Sequence, residues 1–316
     1  MVVYEKIRAI IDNNEHFNII SHTMPDGDSI GSMIALAEAL KQENKNVSVY
    51  SIDGIPRKYG FMDKGDTFDE VQGPLNSVFF ILDCSDLKRT GAEPGVFENC
   101  REIINIDHHV TNEYFGTVNL VDPDASATGE ILFSLLHELN FSINRHIAEA
   151  LYTAIITDTG LFKYENTSRE TFRVAAQLLD YGVNPGMAQK IFDEYPLNYL
   201  LLLKLALSTL ELWSSQRIAC LTISEEMRLQ CGASMETLEG IVNYAKNIEG
   251  VEIGMLIYVN SQGEVKVGLR SKNADVSQIA AHFSGGGHKK AAGFKVQGNL
   301  SSVKDEVLKI AHELIQ

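Results

Sequence analysis

Cysteine is scarce in this sequence. Cys84, Cys100, Cys220 and Cys231 are the whole complement, with no Cys-x-x-Cys pair and nothing near the density of a disulfide scaffold. They read as reduced thiols in or near the core, which favours the cytoplasm. Basic residues are short as well: 27 Lys and Arg stand against 42 Asp and Glu, a formal net charge of −15. A protein that holds DNA regardless of sequence must neutralise phosphates, so this balance argues against that class. No apolar run is long enough for a bilayer. The longest, residues 199–213, is interrupted by Lys204 and Glu211 and falls short of the roughly 20 residues that a span needs. It reads as a buried or interdomain helix, and no membrane partner is expected. Residues 1–12 mix charged and apolar positions at helical spacing, without the uncharged stretch of an export signal. Internal repeats and low-complexity segments are lacking too.

What is present is the composition of a globular protein: 45% hydrophobic and 22% charged residues leave room for a sizeable core and make disorder a poor reading. At 316 residues two domains are expected. The charge is unevenly spread. Residues 1–190 carry a net of −13, whereas residues 263–298 hold Lys266, Arg270, Lys272, Lys289, Lys290 and Lys295 against Glu264 and Asp275 alone. One locally basic segment is thus set in an acidic chain.

Taken in order, residues 3–11 carry a helical stripe, 17–21 a short strand, and 22–28 a loop rich in turn formers. That loop leads into a helix over 29–40, with Asp28 or Ser29 near its N-cap. Further apolar strands are expected over 47–52, 77–82 and 103–106. They lack alternation, as suits strands buried on both faces, so a mostly parallel sheet of βαβ units follows. Helices are expected over 127–139, 147–156 and 170–181, then one or two connecting helices over 187–213 broken at Pro196. From Arg217 the pattern becomes strand (218–223), helix (235–245), strand (251–259), strand (265–269) and helix (276–283), the last running into a glycine loop. The fold class is therefore α/β. A catalytic domain is expected over 1–186, a helical linker over 187–213 and a smaller α/β substrate-binding domain over 214–316.

The chemistry gathers at the ends of the apolar segments. His22, Asp26 and Asp28 follow the first strand, Asp83 follows the strand over 77–82, Asp107-His108-His109 follows 103–106, and Asp158 ends a helix. Any one of these acids alone is most simply a turn former or helix cap, and a lone histidine a solvated one. Together they supply carboxylate and imidazole donors of the kind that hard or borderline divalent cations prefer, enough for two ions about 4 Å apart around a shared carboxylate. Four aspartates brought together bare would repel one another, and two divalent cations cancel their charge.

The segments His22-x-x-x-Asp26-x-Asp28-x-x-Gly31-Ser32, Asp83, Asp107-His108-His109 and Asp158, in this order, resemble the DHH phosphoesterase family, which includes RecJ-type exonucleases and family II inorganic pyrophosphatases. The resemblance implies one metal held by His22, Asp26 and Asp83, and a second by Asp28, Asp83, His108 and Asp158, with Asp83 as the bridge. It also implies that His109 faces the substrate phosphate and that Asp107 supports the paired histidines. Manganese is the cofactor implied, and Mg²⁺, Co²⁺ and Fe²⁺ suit the same donors.

Farther on, Gly285-Gly286-Gly287-His288 precedes Lys289 and Lys290, and Gly268-Leu269-Arg270-Ser271 ends a strand. Glycines let backbone N–H groups approach an anion, and arginine grips phosphate in two places or stacks on a base. A glycine run by itself is as readily a flexible turn. The two segments together resemble the DHH-associated domain of the oligoribonuclease and 3′-phosphoadenosine 5′-phosphate phosphatase branch, in which they hold the nucleotide. Arg270-Ser271-Lys272 does not follow the Ser-Arg-Lys order of family II pyrophosphatases. The resemblance implies a two-metal phosphoesterase that cuts short RNA oligonucleotides to mononucleotides and takes adenosine 3′,5′-bisphosphate to AMP. Its basic second domain would grip the 5′ part of the substrate, and a cleft between the domains would limit substrate length. Two alternatives stand beside it: a phosphodiesterase for linear or cyclic di-AMP with the same metals, and a nucleotide- or RNA-binding module without activity. Cleavage direction and association into a homodimer stay open.

Overall fold

A computed structural model describes residues 2–63, 67–68, 77–93, 95–98, 100–238 and 240–315. The chain divides into two compact units, residues 1–194 and 195–316.

The first unit is built on six strands: β1 (His16–Ile20), β2 (Asn46–Tyr50), β3 (Thr67–Phe68), β4 (Val78–Leu82), β5 (Glu102–Asp107) and β6 (Val118–Val121). They lie in the order β3-β2-β1-β4-β5-β6, and every pairing is parallel. The run Val78-Phe79-Phe80-Ile81-Leu82 shows why. All five residues are buried, with Val78, Phe80 and Leu82 in one core cluster and Phe79 and Ile81 in another. Successive side chains of a strand point to opposite faces, so a strand apolar at every position needs a cover on both. The larger cluster joins the sheet to α1 (Val2–Asp12), α2 (Gly27–Gln42), α4 (Thr128–Glu138), α5 (Arg145–Asp158) and α6 (Arg169–Asp180), and the smaller joins it to the one-turn α3 (Gly95–Glu98). The order reverses between β1 and β4, and in a doubly wound sheet the crevice beyond the carboxyl ends of two such strands is where ligands bind. His22 to Asp28 leave β1 there, and Asp83 leaves β4.

In the second unit, the strands β7 (Glu211–Trp213), β8 (Ile218–Ser224), β9 (Ile253–Val259), β10 (Glu264–Ser271), β11 (Gly286–His288) and β12 (Ala291–Gln297) run in the order β11-β12-β10-β9-β8-β7. Only β8 and β9 pair in parallel. The short α7 (Ala188–Phe192) belongs to the first unit. Of the helices α8 (Leu197–Leu207), α9 (Glu225–Gln230), α10 (Ile241–Lys246), α11 (Ser277–His282) and α12 (Leu300–Leu314), α8 and α10 cover one face of the second sheet and α11 and α12 the other.

Four local expectations are corrected. Helix α2 starts two residues earlier than its sequence suggested, because the Asp26 carboxylate, not Asp28 or Ser29, is the N-cap and accepts from the N–H groups of Asp28 and Ser29. The helix over 187–213 ends at Leu207. Glu211–Trp213 is an edge strand turned back onto β8 by Ser214, Ser215 and Gln216, all at positive φ without a glycine to announce the turn. Residues 235–245 are not one helix but a single 3₁₀ turn, Glu236–Leu238, and α10, with Gly240 at φ 81° between them. The glycine segment is no free loop: Gly286–His288 pairs antiparallel with β12.

Two glycines set how closely the helices of the first unit meet. A Cβ on Gly31 of α2 would overlap the backbone oxygen of Ala150 in α5, and one on Gly129 of α4 would overlap the Ala154 methyl of α5. Contact at backbone distance brings the start of α2, the start of α4 and the end of α5 to one place. We expect Gly31→Ala to lower the unfolding free energy in urea by about 1–3 kcal/mol through overpacking. Gly95→Ala, where the added methyl meets nothing within 4 Å, should leave it within about 0.5 kcal/mol.

Candidate metal centre

The structure brings His22, Asp26, Asp28, Asp83, His108 and Asp158 together. Donor atoms of His22, Asp26 and Asp83 lie within 4.8 Å of one another, as do those of Asp28, His108 and Asp158, and those of Asp83, His108 and His109. The His108 Nε2 atom is 3.5 Å from Asp158 Oδ2, 3.7 Å from Asp83 Oδ1 and 3.9 Å from Asp28 Oδ2, and His22 Nε2 is 3.5 Å from Asp83 Oδ2. Asp83 stands in the middle, carried on a left-handed residue (φ 54°) that ends β4. Such a conformation is sparsely populated outside glycine, and it turns the carboxylate out of the sheet toward both groups.

Each donor is aimed by a second contact. The Nδ1 atoms of His22 and His108 face the backbone oxygens of Thr23 at 2.7 Å and Ala125 at 3.2 Å. A proton donated along each of those bonds leaves the Nε2 lone pair directed at the carboxylates. Asp28 lies at the head of two helices: it is in the first turn of α2, and its oxygens accept from the N–H groups of Thr128 (2.6 Å) and Gly129 (2.9 Å), which open α4. Asp158 is the last residue of α5, an end where the helix dipole favours a cation over a bare carboxylate. Asp107, wholly buried, accepts from His109 Nδ1 (2.7 Å), the His108 N–H (2.9 Å) and Asn112 Nδ2 (2.6 Å). With Nδ1 committed to Asp107, His109 presents Nε2 outward and is not a ligand through the nitrogen that comes within 3.7 Å of Asp83.

Among the described residues, the ion pairs of Asp28, Asp83 and Asp158 come from histidine alone. Burial, then the charges of Asp83, Asp158 and Asp26, push the Asp28 carboxyl well above its ordinary range. Burial also pushes Asp158 up to about 7, with Asp83 and Asp26 adding to it and His108 opposing. For Asp83 burial acts the same way, but the hydrogen bond from His22 and the charges of the three histidines outweigh it and hold the carboxyl well below the usual range. The Ser29 hydroxyl is 2.8 Å from Asp83 Oδ2 and 2.7 Å from His22 Nε2. Its single proton serves one acceptor at a time, so this pair is satisfied together only with a proton or a cation at His22 Nε2. Excess carboxylate and two aimed imidazole nitrogens are the donor chemistry that divalent cations require. The residues fit the group.

Several supporting residues carry no motif of their own. Besides Ser29, the Thr128 hydroxyl donates to Asp83 (3.2 Å), and Asn166 ties the Ser126 and Asp158 backbone oxygens together. Asn112, three residues past His109, could have been suspected from spacing alone. In the second unit, His288, Ala291, Arg270 and Gly254 stand in one cross-strand row and share a face of the sheet. The Arg270 Nη1 donates to the Leu269 oxygen, and the buried Ser271 hydroxyl donates to the Ala274 oxygen. Gly285 and Gly287 have no room for a side chain against β12, while Gly286 is open. No sequence motif singles out Lys246. It packs on Gly254, where a Cβ would overlap its backbone, and burial together with Lys272, Arg270 and Lys290 lowers its pKa.

An α/β sheet with this donor set at its switch point defines a site for divalent cations, and similarity to known proteins makes it that of a metal-dependent hydrolase. Residues 16–155 match the DHH family N-terminal domain and residues 218–316 the DHHA1 domain. The chain is 33% identical to the bifunctional oligoribonuclease and PAP phosphatase NrnA of Thermus thermophilus, over 93% of this chain and 89% of that protein. It belongs to the DHH family. A solved structure of an exopolyphosphatase-related protein from Bacteroides fragilis superposes with a TM-score of 0.89 at 25% identity, covering 99% of this chain and 97% of that one. The structure of RecJ in complex with Mn²⁺ from Thermus thermophilus shares the fold, with a TM-score of 0.55 at 16% identity over 99% of this chain and 54% of that one. No described helix is long and apolar enough to cross a membrane.

The raised carboxyls give the metal-free protein a signed pH dependence. Between the ordinary carboxylate range and about 7, folded Asp158 holds a proton that the unfolded chain has lost, so stability falls as pH rises through that window. His22 and His109 are raised above the usual imidazole value, His22 against its burial by Asp83 and His109 chiefly by its bond to Asp107. They add stability below that value which is lost as pH climbs past their folded pKa. With chelator, the urea midpoint is therefore expected to drop from about pH 5 to about pH 8, and saturating Mn²⁺ should reverse the trend, since the cations replace those protons. Chelated and loaded curves of the same slope would contradict the assignment.

Proposed function

We propose that this protein hydrolyses short oligoribonucleotides to mononucleotides and converts adenosine 3′,5′-bisphosphate to AMP, using two divalent cations, preferably manganese. The observation that carries the reading is the convergence of six nitrogen and oxygen donors from four separate segments on the switch point of the sheet. The substrate follows from the Thermus thermophilus relative, whose name states both activities and of which this chain covers 89%. Mixed imidazole and carboxylate donors suit manganese. Four free cysteines agree with a reducing, cytoplasmic setting.

His22, Asp26 and Asp83 would hold one cation and Asp28, Asp83, His108 and Asp158 the other, with Asp83 common to both. When bound, the cations would lower the pKa of water for attack and neutralise the phosphate oxygens. The protein's own part begins with Asp107, which fixes the His109 ring by the 2.7 Å bond at Nδ1 and leaves Nε2–H toward the phosphate. Because Asp107 raises the His109 pKa, the imidazolium is available to hydrogen-bond a phosphate oxygen and to give the departing sugar oxygen its proton. Arg270, Ser271, Gly285, Gly286, Gly287 and His288 would bind the remainder of the nucleotide. Lys246, Lys272 and Lys290 add positive charge beside Arg270, as a second phosphate needs.

The test is turnover of a diribonucleotide and of adenosine 3′,5′-bisphosphate with manganese, with chelator, and after Asp83→Asn, which tolerates the left-handed backbone. Hydrolysis of both substrates should fall to background in the last two conditions. Asp107→Asn should keep its metal and lose about 10- to 100-fold in activity. Full turnover in the presence of chelator would reject the mechanism.

A further inference from the structure

Arg89 has no part in the donor set, yet the fold presses it against the site. The Thr23 N–H, in the loop that carries His22 and Asp26, donates to the Arg89 backbone oxygen at 2.7 Å. Gly91 closes the same turn at φ +71°, and a Cβ there would overlap the Thr23 methyl, so only glycine lets residues 87–90 settle so near that loop. Asp86 caps the turn by accepting from the N–H groups of Lys88 and Arg89. The guanidinium is exposed, and its Nη1 reaches the Ser85 hydroxyl at 3.4 Å. Ser85 is two residues from Asp83, and its backbone oxygen accepts from Glu113 in the segment that follows His109.

Among the described residues, that long contact is the guanidinium's only hydrogen bond, and it makes no ion pair. In a chain of net charge −15 this is conspicuous, because none of the carboxylates among the described residues takes it up. Its positive charge is felt at His109 and at Cys84, which bracket the site. A guanidinium has five N–H donors in a rigid fork that matches two oxygens of one phosphate. An exposed guanidinium without a carboxylate partner, whose charge reaches His109, is free to take up a phosphate.

We propose that Arg89 is a catalytic residue whose guanidinium grips the non-bridging oxygens of the phosphate being hydrolysed. The inference rests on the phosphoesterase reading above. As the water oxygen bonds to phosphorus, the bond from phosphorus to the sugar oxygen breaks. The water gives up one proton, the departing oxygen takes one from His109, and the charge that accumulates meanwhile on the non-bridging oxygens lies where Arg89 can meet it.

The experiment compares manganese-loaded wild type, Arg89→Lys and Arg89→Ala by manganese content, calorimetric binding of inorganic phosphate, and kcat and KM on a diribonucleotide. All three should carry the same manganese. Both variants should bind phosphate at least about tenfold more weakly. Their kcat should fall by about 10²- to 10³-fold with a smaller change in KM, and added guanidinium should restore part of the Arg89→Ala activity. Phosphate affinity and kcat equal to wild type would overturn the proposal, as would a loss that simply follows missing manganese. If wild type binds phosphate through Arg89 but leaves diribonucleotides intact, the substrate assignment fails and the grip stands.

Discussion

Mutual repulsion among four aspartates governs the architecture of the first unit. Asp28 and Asp83 are almost fully buried, and Asp26 and Asp158 lie beside them. Bringing such charges out of water costs several kcal/mol each unless something compensates. Part of the compensation is built in: backbone N–H groups from the heads of α2 and α4, hydroxyls from Ser29, Ser32 and Thr128, and three imidazoles. The remainder is left for cations. The polypeptide therefore holds a site whose stability and whose affinity for metal are linked through the same carboxylates.

Close helix packing makes that arrangement geometrically available. Asp28 reaches the first N–H groups of α4 only because α2, α4 and α5 meet at Gly31 and Gly129 with no side chain between them. Strand order does the rest. The reversal between β1 and β4 places two chain ends side by side, and β5 delivers Asp107 with both histidines one strand farther along. Neither the sheet nor the helices alone would gather donors that are up to 136 residues apart, from His22 to Asp158.

Much of this was legible beforehand, and the reasons are specific. Strand 78–82 is apolar at every position, a pattern that suits a doubly covered sheet, and it runs straight into Asp83 as 102–107 runs into His108 and His109. What escaped reading is what depends on three dimensions. A carboxylate that caps its own helix looks the same in sequence as one that begins it, so the sequence points to Asp28 or Ser29 where Asp26 is the N-cap. Ser214 to Gln216 turn the chain at positive φ with residues that seldom do so, which hides edge strand β7 in an otherwise helical run. Ser29, Thr128 and Lys246 are ordinary residues made important by what the fold sets against them.

One neighbour of the central aspartate, Asp83, also bears on the donor set. Cys84 follows Asp83 directly, and a thiolate there would offer soft sulfur to zinc or copper(I). Burial pushes that thiol up to about 12, and its Sγ donates to the Asp86 backbone oxygen at 3.0 Å. The sulfur is turned to that oxygen and takes no part in the three donor groups, so the atoms gathered there are carboxylate oxygens and imidazole nitrogens alone among the described residues.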